Sequence, residues 1–203
     1  MSRLLCSLCH RPKLACICQF ASPVDNDILV VVLLHPKEVK QSKGTLPLLA
    51  HSLSNIVIIE GEDFSHNEQL NDILAQYNQQ AALLYPSETA GVLLKSVSSN
   101  AIANHNDYNC LILLDATWKK AYRMYMLSKN LQLINHIALP ENLVGRYEIR
   151  KTNKKNALST LEACCYALEI LESSPNKYQG LLEKFVEFNQ FQLSFKCKII
   201  HKD

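Results

Sequence analysis

Residues 110–124 read CLILLDATWKKAYRM. The stretch opens as a short apolar run, breaks at Asp115, and continues with the only tryptophan of the chain and two lysines. An apolar run without polar alternation predicts a strand buried on both faces, and the segment WKKAYRMYMLSKN after it carries a helical pattern. The same pairing repeats along the chain. Apolar or β-branched runs stand at 27–34 (DILVVVLL), 55–60 (NIVIIE), 81–86 (AALLYP), 109–115 (NCLILLD) and 134–140 (INHIALP). Helix-like segments LPLLAHSLS, NEQLNDILAQYNQQ and ETAGVLLKSVSS fall between them, and two further helices are expected near 160–173 and 175–195. Alternation of this kind predicts an α/β fold, a mostly parallel sheet with helices on both faces.

Composition agrees with that reading. At 203 residues, 48% hydrophobic and 20% charged, the chain can bury a full core, which excludes disordered and fibrous classes. The longest aliphatic run, ILVVVLL at 28–34, is too short to cross a bilayer, and the amino terminus lacks the pattern of a signal peptide. The expectation is a soluble, cytoplasmic protein with no membrane partner, a monomer being favoured. Net charge is +2, but 119–155 holds nine basic residues against two acidic ones. That local excess of +7 leaves −5 on the remainder. A concentrated basic region in an otherwise acidic chain fits a polyanionic partner, and a solvated lysine-rich face fits it equally well.

Four of the eight cysteines, Cys6, Cys9, Cys16 and Cys18, lie within thirteen residues, with spacing C-x2-C-x6-C-x-C. Two close pairs of thiolates can fill a tetrahedral coordination sphere, and zinc is the ion expected in a reducing compartment. A redox pair or an iron–sulfur cluster are the alternatives. Four protein ligands leave no open position for a catalytic water, so the predicted role is structural; His10 could replace one thiolate but is read as an exposed neighbour of the site. The domain expectation is a zinc-binding element over 1–22 and a main domain over 23–203.

In open parallel sheets ligands sit beyond the carboxyl ends of the strands. Here each predicted strand is followed by polar chemistry: HPKE (35–38), EGED (60–63), PSE (86–88), DATW (115–118) and PENLVGRYEIRK (140–151). Any one of these reads as turn chemistry; their recurrence at one end of successive strands points to a site. STLEA (159–163) has the spacing of a capping box, Ser159 to Glu162, and a helix start can also bind an anion. Trp118 reads either as a packed core aromatic or as a stacking surface, and Asp115 as a candidate helix cap.

Taken in order, the cysteine knuckle with RP inside it, HPKE, LYPSETA, DATWKKAYRM, YEIRK and LSTLEA resemble the DTW-domain family of tRNA-uridine aminocarboxypropyltransferases. The resemblance runs from Cys6 to about Ala163. It implies a fold related to the knotted methyltransferases of the SPOUT class. It also implies transfer of the 3-amino-3-carboxypropyl group of S-adenosylmethionine to N3 of a uridine in tRNA, with release of methylthioadenosine. Asp115 is then the expected base for the uracil proton, with Glu88 as its alternate. Pro86, Ser87, Glu88, Thr117, Trp118, Ser159, Thr160 and Glu162 are expected to line the cofactor site. Lys119, Lys120, Arg123, Arg150 and Lys151 are expected on the tRNA backbone. Where the family usually carries Asn-Thr-Gly-Arg after the HP motif, this chain reads SKGT (42–45). Methyl transfer by a SPOUT-type enzyme and a catalytically inactive zinc-dependent RNA-binding protein are the competing readings.

Overall fold

The computed structural model describes residues 4–39, 45–87, 90–92, 108–140, 143 and 158–200. Among the described residues six strands are formed: β1 (Leu29–Leu34), β2 (Ile56–Glu60), β3 (Ala81–Leu84), β4 (Gly91–Val92), β5 (Cys110–Asp115) and β6 (Asn135–Ala138). They make one sheet in the order β2-β1-β5-β3-β6-β4, parallel at every pairing. The helices are α1 (Leu46–Ala50), α2 (Glu68–Tyr77), α3 (Trp118–Leu127), α4 (Lys129–Gln132), α5 (Thr160–Leu171) and α6 (Gln179–Ile200).

The unbroken apolar runs have a direct cause. In β1, Val30 and Val32 face one core while Val31 and Leu33 face the other. The same division holds in β5, where Leu111 and Leu113 oppose Cys110 and Ile112. A strand whose successive side chains are buried on opposite faces has no position for a polar residue. One core is completed by α1, α5 and α6, through residues such as Leu48, Leu168 and Phe185; the other is completed by α2, α3 and α4, through Leu70, Met124 and Leu131. Helices therefore cover both faces. β2 lies at an edge, where Ile58 is exposed.

Two predicted helices take a different form. The segment read as a helix from Trp118 onward breaks at Ser128, whose ψ of 91° is extended and whose buried Oγ accepts the Phe64 N–H at 3.0 Å. A buried polar group must be satisfied, and this hydroxyl satisfies the backbone of the loop after β2. In ETAGVLLKSVSS, Gly91 and Val92 form β4 against Ile137 and Ala138 of β6, while 88–89 and 93–100 lie outside the described residues.

Glu172, just past α5, fastens that helix to the start of β1. Its Oε1 accepts from the Asp27 and Ile28 N–H groups at 2.9 and 3.3 Å; its Oε2 accepts from Lys177 Nζ and the Tyr178 hydroxyl, both at 2.8 Å. Burial, and then the bond to Glu172, push the Tyr178 phenol far above its ordinary range. At the amino terminus, Phe20 meets Phe188 of α6 edge-on at 5.9 Å and Phe191 at 5.1 Å, which docks the cysteine-rich element on that helix. Among the described residues no helix is long and apolar enough to cross a membrane.

Candidate active site at the carboxyl ends of the strands

Because the strands are parallel, the carboxyl ends of β1, β2, β3, β5 and β6 open on one edge of the sheet. Asp115, the last residue of β5, stands near its centre between β1 and β3. Its Oδ1 accepts the Thr160 hydroxyl at 2.6 Å, a length typical of a hydrogen bond to a charged acceptor. Thr160 opens α5, and a complete capping box holds it in place. Ser159 Oγ accepts the Glu162 N–H at 3.2 Å, and Glu162 Oε2 accepts both the Ser159 N–H and hydroxyl at 2.8 Å. Glu162 is fully buried. Motifs 45 residues apart, DATW and STLEA, thus meet through one hydrogen bond.

Asp115 is not the cap of α3. Thr117 occupies that position with extended backbone and no side-chain cap bond, leaving Thr117 exposed. Trp118 follows as the first residue of α3 and is 53% exposed, so it is not a core aromatic. Tyr122, one turn on, is exposed as well.

The HPKE loop after β1 is expected at this edge, but the sequence assigns none of its side chains an individual role. His35 is buried, its Nδ1 accepts the Lys37 N–H at 3.1 Å, and its backbone N–H reaches the Asp115 carbonyl at 3.3 Å. His35 Nε2 lies 3.5 Å from Glu62 Oε1, and the same oxygen pairs with Arg123 Nε at 2.7 Å. Lys120 Nζ pairs with Glu38 Oε1 at 2.6 Å, and the Glu38 side chain is only 9% exposed. Two cations expected on tRNA are therefore held by carboxylates of the loops after β1 and β2, and they pin α3 to those loops. Lys119 is exposed on the same helix.

Beyond β3, Pro86 is exposed and Ser87 half-buried. Ser87 Oγ lies 2.7 Å from His136 Nδ1, and His136 Nε2 lies 2.9 Å from the Leu131 carbonyl. Tyr125 meets His136 edge-on at 5.4 Å and stacks on Tyr85 at 5.0 Å. Burial, and then the neighbouring phenols of Tyr125 and Tyr122, push the Tyr85 phenol up. Glu88, Arg150 and Lys151 lie outside the described residues, as do 42–44 of the SKGT stretch. The sequence signal missed at His136 is a polar residue inside the apolar run INHIALP.

Away from this edge, the sulfurs of Cys6, Cys9, Cys16 and Cys18 all lie within 4.8 Å of one another. Cys6 and Cys18 are 3.8 Å apart, as are Cys9 and Cys16. A regular tetrahedron of sulfurs around zinc at about 2.3 Å has edges of about 3.8 Å, so the donor set fits such an ion. The backbone N–H groups of Cys9 and Leu8 bring the Cys6 thiol down to about 6, whereas burial and the neighbouring thiols push Cys18 up to about 12. Sulfurs this close cannot all ionise without a cation between them.

The DTW domain family model matches residues 3–193. A Drosophila melanogaster protein named tRNA-uridine aminocarboxypropyltransferase 2 is 31% identical over 194 residues, covering 93% of this chain and 74% of that one. A Mus musculus protein of the same name is 26% identical over 198 residues, 96% of this chain and 65% of its own length. An Arabidopsis thaliana protein named tRNA-uridine aminocarboxypropyltransferase A is 28% identical over 137 residues, 63% of this chain and 52% of its own. No solved structure matches.

Proposed function

The chain belongs to the DTW domain family, and on that premise we propose that it transfers the 3-amino-3-carboxypropyl group of S-adenosylmethionine to N3 of a uridine in tRNA, releasing methylthioadenosine. The observation that carries this reading is the 2.6 Å bond from Thr160 to Asp115, which joins two motifs of the resemblance at the edge where parallel sheets bind ligands.

The chemistry asks little of the protein beyond orientation and one base. A sulfonium activates each carbon attached to it, so the bound pose selects which carbon meets the nucleophile. The uridine N3–H bond gives its proton to Asp115, N3 forms a bond to the terminal carbon of the aminocarboxypropyl chain, and the carbon–sulfur bond breaks. The departing thioether is neutral and needs no general acid. Thr160 fixes the plane of the Asp115 carboxylate. Exposed Trp118 offers a flat face to a base or an adenine, and Pro86, Ser87, Thr117 and Ser159 border the donor, with fully buried Glu162 holding Ser159 from behind and Glu88 as alternate base. Lys119, Arg150 and Lys151 contact the tRNA backbone, while Lys120 and Arg123 act through their ion pairs on the placement of α3.

Residues up to 22 form a zinc-held appendage, and 23–203 the catalytic domain, of SPOUT type. Zinc on Cys6, Cys9, Cys16 and Cys18 is structural, since four sulfurs complete its sphere. The site of action is the cytoplasm.

The test is incubation of the protein with S-adenosylmethionine and unmodified tRNA, followed by mass spectrometry of the nucleosides and of the spent donor. Aminocarboxypropyl-uridine with methylthioadenosine is the expected outcome. S-adenosylhomocysteine would establish methyl transfer instead, and RNA binding without affinity for the donor would leave a binding protein.

A further inference from the structure

The outward face of α3 is apolar where a solvated helix would be polar. Trp118, Tyr122 and Met126 are spaced four apart and are 53%, 55% and 51% exposed, while the residues that α3 buries are Ala121 and Met124. At 3.6 residues per turn the three exposed positions fall within about 80° of one another, and their stripe is turned about 130° away from the buried pair. The stripe is thus a surface of its own, outside the core. It begins at the candidate site. Trp118 follows Asp115 closely and opens the helix, so Tyr122 and Met126 lie about 6 and 12 Å further along the axis. Tyr125, at the border of the stripe, stacks on Tyr85 beyond β3 at 5.0 Å, which holds this side of the helix in place.

Charge and spacing decide what such a stripe takes. Residues 117–133 contain four lysines and arginines and no aspartate or glutamate. Lys120 and Arg123 are paired with Glu38 and Glu62, whereas Lys119, next to the stripe, and Lys129, beyond it, are exposed. The cores of protein–protein interfaces are poor in lysine, while aromatic side chains interleaved with cations are the platforms on which unpaired bases stack. Stacked bases stand about 3.4 Å apart, roughly half the distance between Trp118 and Tyr122 along the helix. A base on Tyr122 therefore cannot stay stacked on one held at Trp118 or at Asp115 behind it, and only a splayed, unpaired strand fits. We propose that Tyr122, continued by the polarisable Met126, stacks the unpaired nucleotide that neighbours the target uridine in the RNA strand. The inference rests on the RNA-substrate reading made above and adds a second base position to it. What Tyr122 supplies is the face of its ring, so its hydroxyl is dispensable.

Fluorescence anisotropy on the full chain tests this with unmodified tRNA and with short RNAs that hold one central uridine: an intact strand, strands with an abasic residue directly 5′ or directly 3′ of the uridine, and the intact strand annealed to its complement. Tyr122 is an exposed position, so its truncation spares both cores. Loss of one base stack weakens binding about 5- to 100-fold. Tyr122→Ala is expected to lose that factor on tRNA and on the intact strand, Tyr122→Phe to keep wild-type affinity, and Met126→Ala to lose less than Tyr122→Ala. On one of the two abasic strands the Tyr122→Ala loss is expected to vanish, since the base that stacks is already gone. The salt dependence is expected to stay as in wild type, because no phosphate contact is removed. Equal losses on every RNA, no loss on any, a flattened salt slope, or a duplex bound as tightly as the single strand would overturn the inference, as would a wild-type chain that binds tRNA but none of the single strands. A wild-type dimer that Tyr122→Ala dissociates in sedimentation would overturn it too and assign the stripe to a second copy of the chain. Wild-type protein that binds neither tRNA nor the short RNAs would refute the RNA-substrate reading itself, a result distinct from these.

Discussion

Thr160→Val removes one hydroxyl from α5 and keeps the shape of the side chain. The group lost is the donor 2.6 Å from Asp115 Oδ1. The helix start survives the change, because its cap is Ser159 and its capping box with Glu162 does not involve Thr160. The perturbation therefore falls on the carboxylate. A hydrogen bond to a charged group contributes about 1.5–3 kcal/mol, and each 1.4 kcal/mol is tenfold in rate. If Asp115 takes the uridine proton only in the orientation Thr160 imposes, the transfer rate falls about 10- to 100-fold. Single-turnover transfer under saturating S-adenosylmethionine reads this step, since binding and product release are then excluded. Thr160→Ser, which keeps the hydroxyl, is expected to stay within a fewfold of wild type. Donor affinity measured in parallel shows whether the loss lies in chemistry or in binding. A Thr160→Val protein with the full single-turnover rate would refute the argument that this bond places the base, and Asp115→Asn with full turnover would remove the base altogether.

Three further outcomes follow from the packing. Glu172→Ala leaves Lys177, the Tyr178 hydroxyl and two backbone N–H groups without their carboxylate, and the Glu172 side chain is only 2% exposed. A loss of about 3–5 kcal/mol is expected in denaturant titration, and a loss under 1 kcal/mol would refute the buried-hub reading. Asn189 is buried in α6 with neither side-chain polar atom bonded, so Asn189→Leu is expected to stabilise by about 1–3 kcal/mol; a lower Tm would mean that the amide has a partner. Native mass spectrometry is expected to give one zinc per chain, and chelation to lower Tm by loosening the element that Phe20 docks on α6. A metal-free protein with unchanged Tm would refute the structural role.

The sequence made the centre of the sheet legible because burial on both faces leaves a strong mark: β1 and β5 have no polar position before their carboxyl ends. β4 carried no such mark. Two exposed residues at an edge, Gly91 and Val92, have too few positions to show a period, and the surrounding residues resemble a helix. The break at Ser128 was equally hidden, since its cause is the Phe64 N–H, 64 residues away. At the site, the motifs were visible singly, but the Thr160–Asp115 bond is a product of the fold that no spacing contains. His136 looked like any histidine in an apolar strand. Its two ring contacts, the Leu131 carbonyl at one nitrogen and Ser87 Oγ at the other, are products of the fold.

The basic region shows how far charge counting reaches. From sequence, Lys119, Lys120 and Arg123 are three equivalent cations on one helix. In the fold, Lys120 sits on the nearly buried Glu38 and Arg123 on Glu62, while Lys119 is exposed. The consequence for tRNA affinity is a difference in salt dependence. A cation that neutralises a phosphate releases condensed counterions, and each such contact contributes about 0.7–0.9 to the slope of log K against log salt. Lys119→Gln is expected to flatten the slope by about that amount with the fold untouched. Lys120→Gln is expected to leave the slope within about 0.3 of wild type, because its charge is already neutralised inside the protein. Its effect belongs to placement: with Glu38 unpaired and only 9% exposed, α3 loses an anchor, and the transfer rate should fall more than tRNA affinity does. Equal flattening by both variants, measured by filter binding across a salt series, would show that Lys120 leaves Glu38 for the phosphate when tRNA binds. The ion pair would then be the resting state of a contact that the substrate opens.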